Sequence, residues 1–197
     1  MKRTLKVTST DAIAPKRRDW ATGLLVSMED PQYKVKENDK IVVIKDKYPK
    51  AQYHYLVIPK ADIPSLWHIK KKMKIYCSTC IVFIGYHAVP SMHRLHLHVI
   101  STDFNSPCLK TKYHWNSFTT PFFLHSTGKC ICVRLIREQT SFFINCELKK
   151  LKSEESAQHL NTPLKCHKCP TISKNMPDLK KHLLAVPYDL KYLVINL

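Results

Sequence analysis

Leu95, Leu97 and Val99 alternate with Arg94, His96 and His98 in the central third of the chain. A strand sends successive side chains to opposite faces. The pattern therefore predicts a strand within residues 91–101, apolar and buried on one face, with an arginine and two imidazoles on the other. Residues 20–27, 41–44 and 53–58 also read as strands, the second a continuous apolar run suited to burial. Asp46-Lys47-Tyr48-Pro49-Lys50 reads as a turn, because Pro49 has no N–H to give a central strand. Asp62, Pro64 and Ser65 are residues that open helices. Only about two or three helical turns fit before the apolar run 77–84, which reads as a strand broken by Gly85. Asp103 to Pro107 forms a loop, residues 149–156 a short helix or linker, and residues 176–184 a helix.

Composition adds a partner class. Lys and Arg number 32 against 15 Asp and Glu, a net charge of +17. A surplus of that size points to a polyanion, nucleic acid before an anionic membrane surface. No apolar run is long enough to span a bilayer, and the basic, polar amino terminus has no apolar core of the kind a secretion signal needs. The eight cysteines are then expected as thiols or metal ligands in a reducing compartment rather than a disulfide frame. Lys16-Arg17-Arg18 is compatible with a nuclear signal and equally with a solvated basic patch.

Two groups of residues carry candidate chemistry. An imidazole is neutral enough at pH 7 to act as a nucleophile and can also hold a proton as charge develops. His96 and His98 on one strand face could divide those tasks on a phosphate, bind a metal, or simply face water. Cys166-x2-Cys169, followed after twelve intervening residues by His182 on a helix, has the spacing of a Cys2His2 finger. The fourth ligand belongs one helical turn beyond His182, where Val186 stands. His167 lies inside the knuckle and is poorly placed to close the site, which leaves Cys130, Cys132, Cys146, His159 or a water. Lys110, Lys112, His114 and Trp115 combine positive charge with an aromatic ring, a mixture that can hold phosphates and stack a base. Trp115 could equally be a core residue.

Several separated motifs agree on a family. Ile44 to Ala51, His54-Tyr55-Leu56-Val57-Ile58-Pro59 and the His96/His98 strand resemble the histidine-triad superfamily of nucleotide hydrolases and transferases. Gly85 to Met92, Asp103-Phe104, Ser106 to Lys110 and His114 to Phe118 resemble its aprataxin branch. The resemblance implies an α+β fold: a histidine-triad antiparallel sheet with packed helices, plus a small C-terminal finger of Cys2His2 type. It suggests a basic lead-in (1–15), a catalytic domain (16–118) with a shortened segment at 65–84, a helical or linker region (119–163) and a finger-like unit (164–190).

It also implies removal of AMP from a DNA 5′-phosphate, a debt left by abortive ligation. His96 would attack the α-phosphorus, His98 would stabilise the non-bridging oxygens, and His87 would protonate the departing phosphate. Asp46, Lys47, His54, Trp20, Met28 and Ser91 would hold the AMP. Lys50, Arg94, Ser91, Lys110, Lys112, His114 and Trp115 would hold the nucleic acid. Cys166, Cys169 and His182 would carry a structural zinc, with no cofactor needed for catalysis. The implied partner is double-stranded or nicked DNA with a 5′-adenylated end, single-stranded DNA being possible, met by a monomer in the nucleus and not at a membrane.

The chain departs from the family at Arg94, where the triad begins with histidine. It also departs in the short stretch 67–85, at Gln52 and Tyr113, which replace basic residues, and at Val186. Two other functions remain open at this point: a hydrolase of small adenylated molecules, and a DNA-end binder without turnover.

Overall fold

The computed structural model describes residues 23–66, 74–76, 82–125, 141–143 and 151–186. Trp20, Cys130, Cys132, Cys146 and most of the shortened segment 67–85 lie outside the described residues. The expected strand at 20–27 is instead helix α1 (Gly23–Glu29). Leu24 and Met28, four residues apart, are buried while Leu25 and Val26 between them are exposed. That is helical spacing, and a short apolar run does not distinguish the two periods by itself.

The expected strands at 41–44 and 53–58 are β2 (Ile41–Lys45) and β3 (His54–Pro59), preceded by β1 (Lys34–Glu37). β4 (Lys74–Tyr76), β5 (Val82–His87) and β6 (Leu97–Ser101) follow, then α2 (Lys112–Thr119), β7 (Phe123–His125) and β8 (Ser141–Phe143). Helix α3 (Ser153–Leu160), β9 (Leu164–Lys165), β10 (Ile172–Ser173) and α4 (Met176–Ala185) complete the order. Six strands form one antiparallel sheet in the order β1-β2-β3-β6-β5-β7. β4 pairs with β8, and β9 with β10.

The period-two pattern sorts the large sheet into two faces. Leu95, Leu97 and Val99 pack with Val43, Val57, Val82 and Tyr86 on one of them. On the other, His54 pairs in register with Ile100, while Leu56 and Gly85 both pair with His98. That second face is covered twice. α1 lays Leu24 and Met28 over Val42, Ile44, Leu56 and Ile58. α2 lays Trp115 and Phe118 over Ile100, Phe104 and Phe123, in a cluster that continues into Leu164, Cys166, Met176, Leu179 and Leu183. The C-terminal unit therefore shares its core with the sheet domain.

α2 makes that joint with hydrogen bonds as well as area. Thr111 caps it by accepting from His114 N, the usual exchange of an orphan N–H for a side-chain oxygen. Trp115 Nε1 donates to the Lys165 carbonyl at 3.0 Å. Asn116 Nδ2 donates to the Leu160 and Thr162 carbonyls, each at 2.8 Å. Asn116 is buried, and a buried amide is tolerated because its hydrogens are used.

Gly85 is fixed by crowding. A Cβ there would collide with the Leu124 carbonyl oxygen and the Phe123 ring. Backbone on the neighbouring strand cannot move aside cheaply, so Gly85→Ala should destabilise the fold by about 1–3 kcal/mol. A denaturant midpoint unchanged from the parent would contradict this reading of the β5–β7 contact.

Candidate active site and zinc knuckle

Four histidines meet on the face between the two apolar clusters. His54 opens β3, His87 ends β5, His98 lies in β6 and His96 directly precedes it. Ring centroids of His87 and His98 lie 4.4 Å apart, those of His96 and His98 4.9 Å, and those of His54 and His98 5.2 Å. Phe118 of α2 packs edge-on against His54, His87 and His98. The imidazole face is thus roofed by α2, and His96 and His98 keep only 5% and 3% of their surface.

Hydrogen bonds set the tautomers. Lys50 N–H donates to His54 Nδ1 at 3.2 Å. An amide can only donate, so the neutral His54 ring carries its proton on Nε2. His54 Nε2 lies 2.9 Å from His98 Nδ1. His98 Nδ1 therefore accepts, and its own proton sits on Nε2. His98 Nε2 and His87 Nε2 are buried with no hydrogen-bond partner. Two such atoms side by side cost about 1–3 kcal/mol each unless something arrives to satisfy them. His96 has the opposite arrangement. Its Nδ1 donates to the Arg94 carbonyl at 2.9 Å, which leaves the Nε2 lone pair free.

Burial disfavours charge on every one of these rings. It takes His54 down to about 4, against an opposing pull from Asp46, whose Oδ2 lies 3.5 Å from Nδ1. Burial also lowers His96, and it holds His87 and His98 well below the ordinary histidine value. Lys50, half-buried at the rim, is lowered by burial too.

The loop that supplies Lys50 is held from below. Asp103 Oδ2 accepts from Gln52 N at 3.0 Å and Asn105 N at 2.7 Å, while Ser106 Oγ donates to the Pro49 carbonyl. Lys180 of α4 donates to the Ser106 carbonyl at 2.9 Å. Phe118 and Asp103 shape the site without having been singled out by sequence. The spacing of Trp115 and Phe118 on one helix face carried the signal for Phe118, and nothing local did so for Asp103.

Asp46 and His54 come together at the rim, with Asp46 Oδ1 accepting from Tyr48 N at 2.7 Å. Lys47, next to Asp46 in the chain, and Ser91, on the loop after β5, are both exposed. Three expectations need correction. Met28 is a buried member of the cluster under α1 rather than a side chain presented to a nucleoside. Trp115 is fully buried between sheet and finger and offers no face for a base to stack on. Arg94 does not hold its guanidinium out for nucleic acid on the strand face of His96 and His98, but engages backbone carbonyls with it. The chain turns there with φ 86°, and Nη2 donates to the Lys60 carbonyl at 2.6 Å. Lys110 remains exposed, while Lys112 and His114 are half-buried on the first turn of α2.

In the C-terminal unit, Cys166, Cys169 and His182 each offer a ligand atom, all within 4.8 Å of one another. Cys169 Sγ and His182 Nε2 are 3.2 Å apart, a separation that suits two ligands sharing one ion at about 2.0–2.3 Å. Two thiols and an imidazole are a donor set zinc prefers. Hydrogen bonding with Thr171 draws the Cys169 thiol down to about 7, toward the thiolate a metal needs. His167 turns away into the rings of Phe83, Phe104 and Trp115. Val186 caps α4 through its N–H to the His182 carbonyl. Among the described residues no fourth side chain joins the three.

Comparison with known proteins agrees with this geometry. Residues 19–114 match the family described as scavenger mRNA decapping enzyme C-term binding, and residues 119–186 match the C2HE / C2H2 / C2HC zinc-binding finger. The chain is 44% identical to aprataxin of Ciona intestinalis, over 86% of this chain and 47% of that one. It is 42% identical to aprataxin of Gallus gallus, over 83% and 54%. The chain belongs to the aprataxin family. It spans about half the length of these relatives. The crystal structure of the aprataxin ortholog Hnt3 in complex with DNA shares the fold, with a TM-score of 0.64 at 20% identity, over 85% of this chain and 94% of that one. That of Hnt3 from Schizosaccharomyces pombe gives a TM-score of 0.62 at 20% identity, over 86% and 92%. In this member of the aprataxin family the finger match begins at residue 119, so strand β7 and helix α3 fall within it.

Acid should loosen the site before it loosens the surface. The unfolded histidines take up protons below about 6.5, whereas the folded ones resist. Stability is therefore fully present above pH 6.5 and is lost as the pH falls toward 4, by about 1.4 kcal/mol per pH unit for each histidine kept neutral. Thermal melts from pH 7 to 4.5 should show a steadily falling Tm, and a flat profile would count against neutral burial. Because Cys166 belongs to the shared core, Cys166→Ser should remove about 2 kcal/mol or more from zinc-loaded protein. The same protein melted with and without a strong chelator provides the control, since the variant should lose the chelator's effect.

Proposed function

We propose that the chain hydrolyses the bond between AMP and the 5′-phosphate of a broken DNA strand, through an adenylate carried on His96. The observation that carries the reading is the opposite tautomers of two adjacent rings. His96 has a free lone pair on Nε2 because Nδ1 is engaged by the Arg94 carbonyl. His98 has an unpartnered Nε2 because Nδ1 is engaged by His54. One ring is set to attack phosphorus and the next to donate to the oxygens on which charge develops.

In the first step His96 Nε2 bonds to the α-phosphorus of the AMP moiety, and the bond to the bridging oxygen breaks. The electron pair leaves with the DNA 5′-phosphate, and His87 supplies its proton. Burial keeps His87 neutral in the empty site, but an arriving pyrophosphate dianion reverses that preference, because an opposite charge favours the protonated ring. Substrate binding and proton uptake are thus coupled. In the second step water attacks the phosphorus of adenylated His96, gives its proton to the His87 ring left neutral by the first step, and releases AMP, restoring the His96 imidazole. Dividing the displacement in two is the usual benefit of a covalent intermediate.

DNA as the carrier of the adenylate is supported by the net charge of +17. It is also supported by the likeness to aprataxins and by the fold shared with an ortholog determined with DNA. The reading carries with it a nuclear location, where nicked duplex is repaired, and a monomer, since the histidines named come from one chain. Cys166, Cys169 and His182 would hold a structural zinc, which when bound stiffens the unit that packs on α2. A hydrolase of small adenylated molecules would have no use for this basic surplus. A DNA-end binder without turnover would have no use for the free lone pair on His96.

Nicked duplex carrying a 5′-AMP is the decisive substrate, with small adenylated compounds run in parallel. AMP should leave the duplex, and acid quench should trap labelled AMP on the protein. His96→Ala should lower release by about a thousandfold or more and leave duplex binding within about twofold. Release from small compounds alone, or binding without any trapped adenylate, would overturn the proposal.

A further inference from the structure

We propose that Arg94 is a positioning residue whose guanidinium staples the chain in the one conformation that gives His96 its nucleophilic tautomer; this rests on His96 being the nucleophile. Arg94 has φ 86°, a region that residues other than glycine rarely enter. Its side chain is tied down on three sides. Nη2 donates to the Lys60 carbonyl at 2.6 Å and the Pro59 carbonyl at 3.4 Å, and Nη1 lies 3.6 Å from Asp62 Oδ1. Pro59 is the last residue of β3, the strand that pairs with β6. Immediately after Arg94, Leu95 N donates to the Ile63 carbonyl at 2.7 Å. The segment entering β6 is therefore pinned to the segment leaving β3.

The consequence falls on the carbonyl of the same residue. With the chain turned at Arg94, that carbonyl accepts the His96 Nδ1 proton at 2.9 Å. A neutral imidazole left to itself prefers its proton on Nε2, the very atom that must be bare to attack phosphorus. Holding the carbonyl in place shifts the proton to Nδ1. Arg94, His87 and His96 also line one small cavity of about 10 Å³, so the staple borders both rings that act in the first step. A side chain so engaged has little left for DNA. It acts on the reaction through the backbone, in the place where the family begins its triad with histidine.

The test uses the full chain with ¹⁵N-labelled histidine and four proteins: parent, Arg94→Ala, Arg94→Gly and Arg94→Lys. The parent should show His96 protonated at Nδ1. Ala and Gly variants should show it shifting toward Nε2–H, with kcat for AMP release down about tenfold or more and duplex affinity within about twofold. Lys keeps a donor for the Lys60 carbonyl and should recover much of both. The His54 and His98 signals, set by Lys50 and not by Arg94, should hold still and report that the sheet is intact. A Gly variant matching the parent would mean that the backbone turn suffices, and the proposal falls. It also falls if Ala and Gly leave tautomer and kcat alone but weaken duplex binding, which is the signature of a phosphate contact. If the tautomer shifts while the parent itself releases no AMP from any adenylated duplex, the staple is upheld and the hydrolase reading fails.

Discussion

The site depends on one chain of hydrogen bonds, from Lys50 N–H through His54 to His98. Neutral imidazoles can be buried in a row only if each proton has an assigned place, because an unpaired buried polar atom is costly and an unpaired buried charge more so. A backbone amide is the best starting point for such an assignment, since it has no second protonation state. From it the proton positions follow along β3 and β6, ending at an Nε2–H with nothing to bond. The register that pairs Leu56 with His98 and His54 with Ile100 places these rings in line. The geometry of the candidate site is a property of the sheet's ladder and of the turn that precedes it.

That turn is in turn held by parts of the chain far from it in sequence. Asp103 and Ser106 bond to Gln52 and Pro49, Lys180 of α4 bonds to Ser106, and Phe118 of α2 roofs the imidazoles. α2 is itself tied to the C-terminal unit by Trp115 and Asn116. Cys166 of the candidate zinc knuckle lies in the same apolar cluster as Phe118. The finger therefore contributes to the roof of the histidine face. The order of these contacts explains how a small unit with few apolar residues can fold against its neighbour without a large core of its own.

Sequence made the sheet's centre legible because one face alternates cleanly. Leu95, Leu97 and Val99 went to one cluster as the period demanded, and His96 and His98 went opposite. The knuckle was legible for a similar reason, since ligand spacing is a local property. What failed was longer in range. Residues 23–29 are too few for a helical period to outweigh an apolar run, and only the contacts of Leu24 and Met28 with β2 and β3 decide the matter. Trp115 sits among lysines in sequence, yet the helix turns it inward to a carbonyl fifty residues away. Arg94 obeys the alternation on paper and breaks it in space, because a single positive φ is invisible to a count of apolar and polar positions. Asp103 entered the sequence reading only within a family-like motif and a loop, because the bond that gives it a part in the site runs to Gln52, on the distant loop that precedes β3.

A strongly basic chain with a neutral centre is the arrangement that phosphate chemistry calls for. On the proposed function, lysines such as Lys47 and Lys50 would raise the local concentration of an anionic strand at long range, an attraction that salt screens. Were the four inner rings charged as well, the phosphate would bind strongly in the ground state, and nucleophilicity would be lost with the lone pair. Burial under α2 and against the sheet keeps them neutral instead. In the proposed reaction, charge would be created only when the substrate dianion enters, at His87, the ring that would give its proton away. Binding energy that appears with the developing charge lowers the barrier, whereas binding energy already present before it does not.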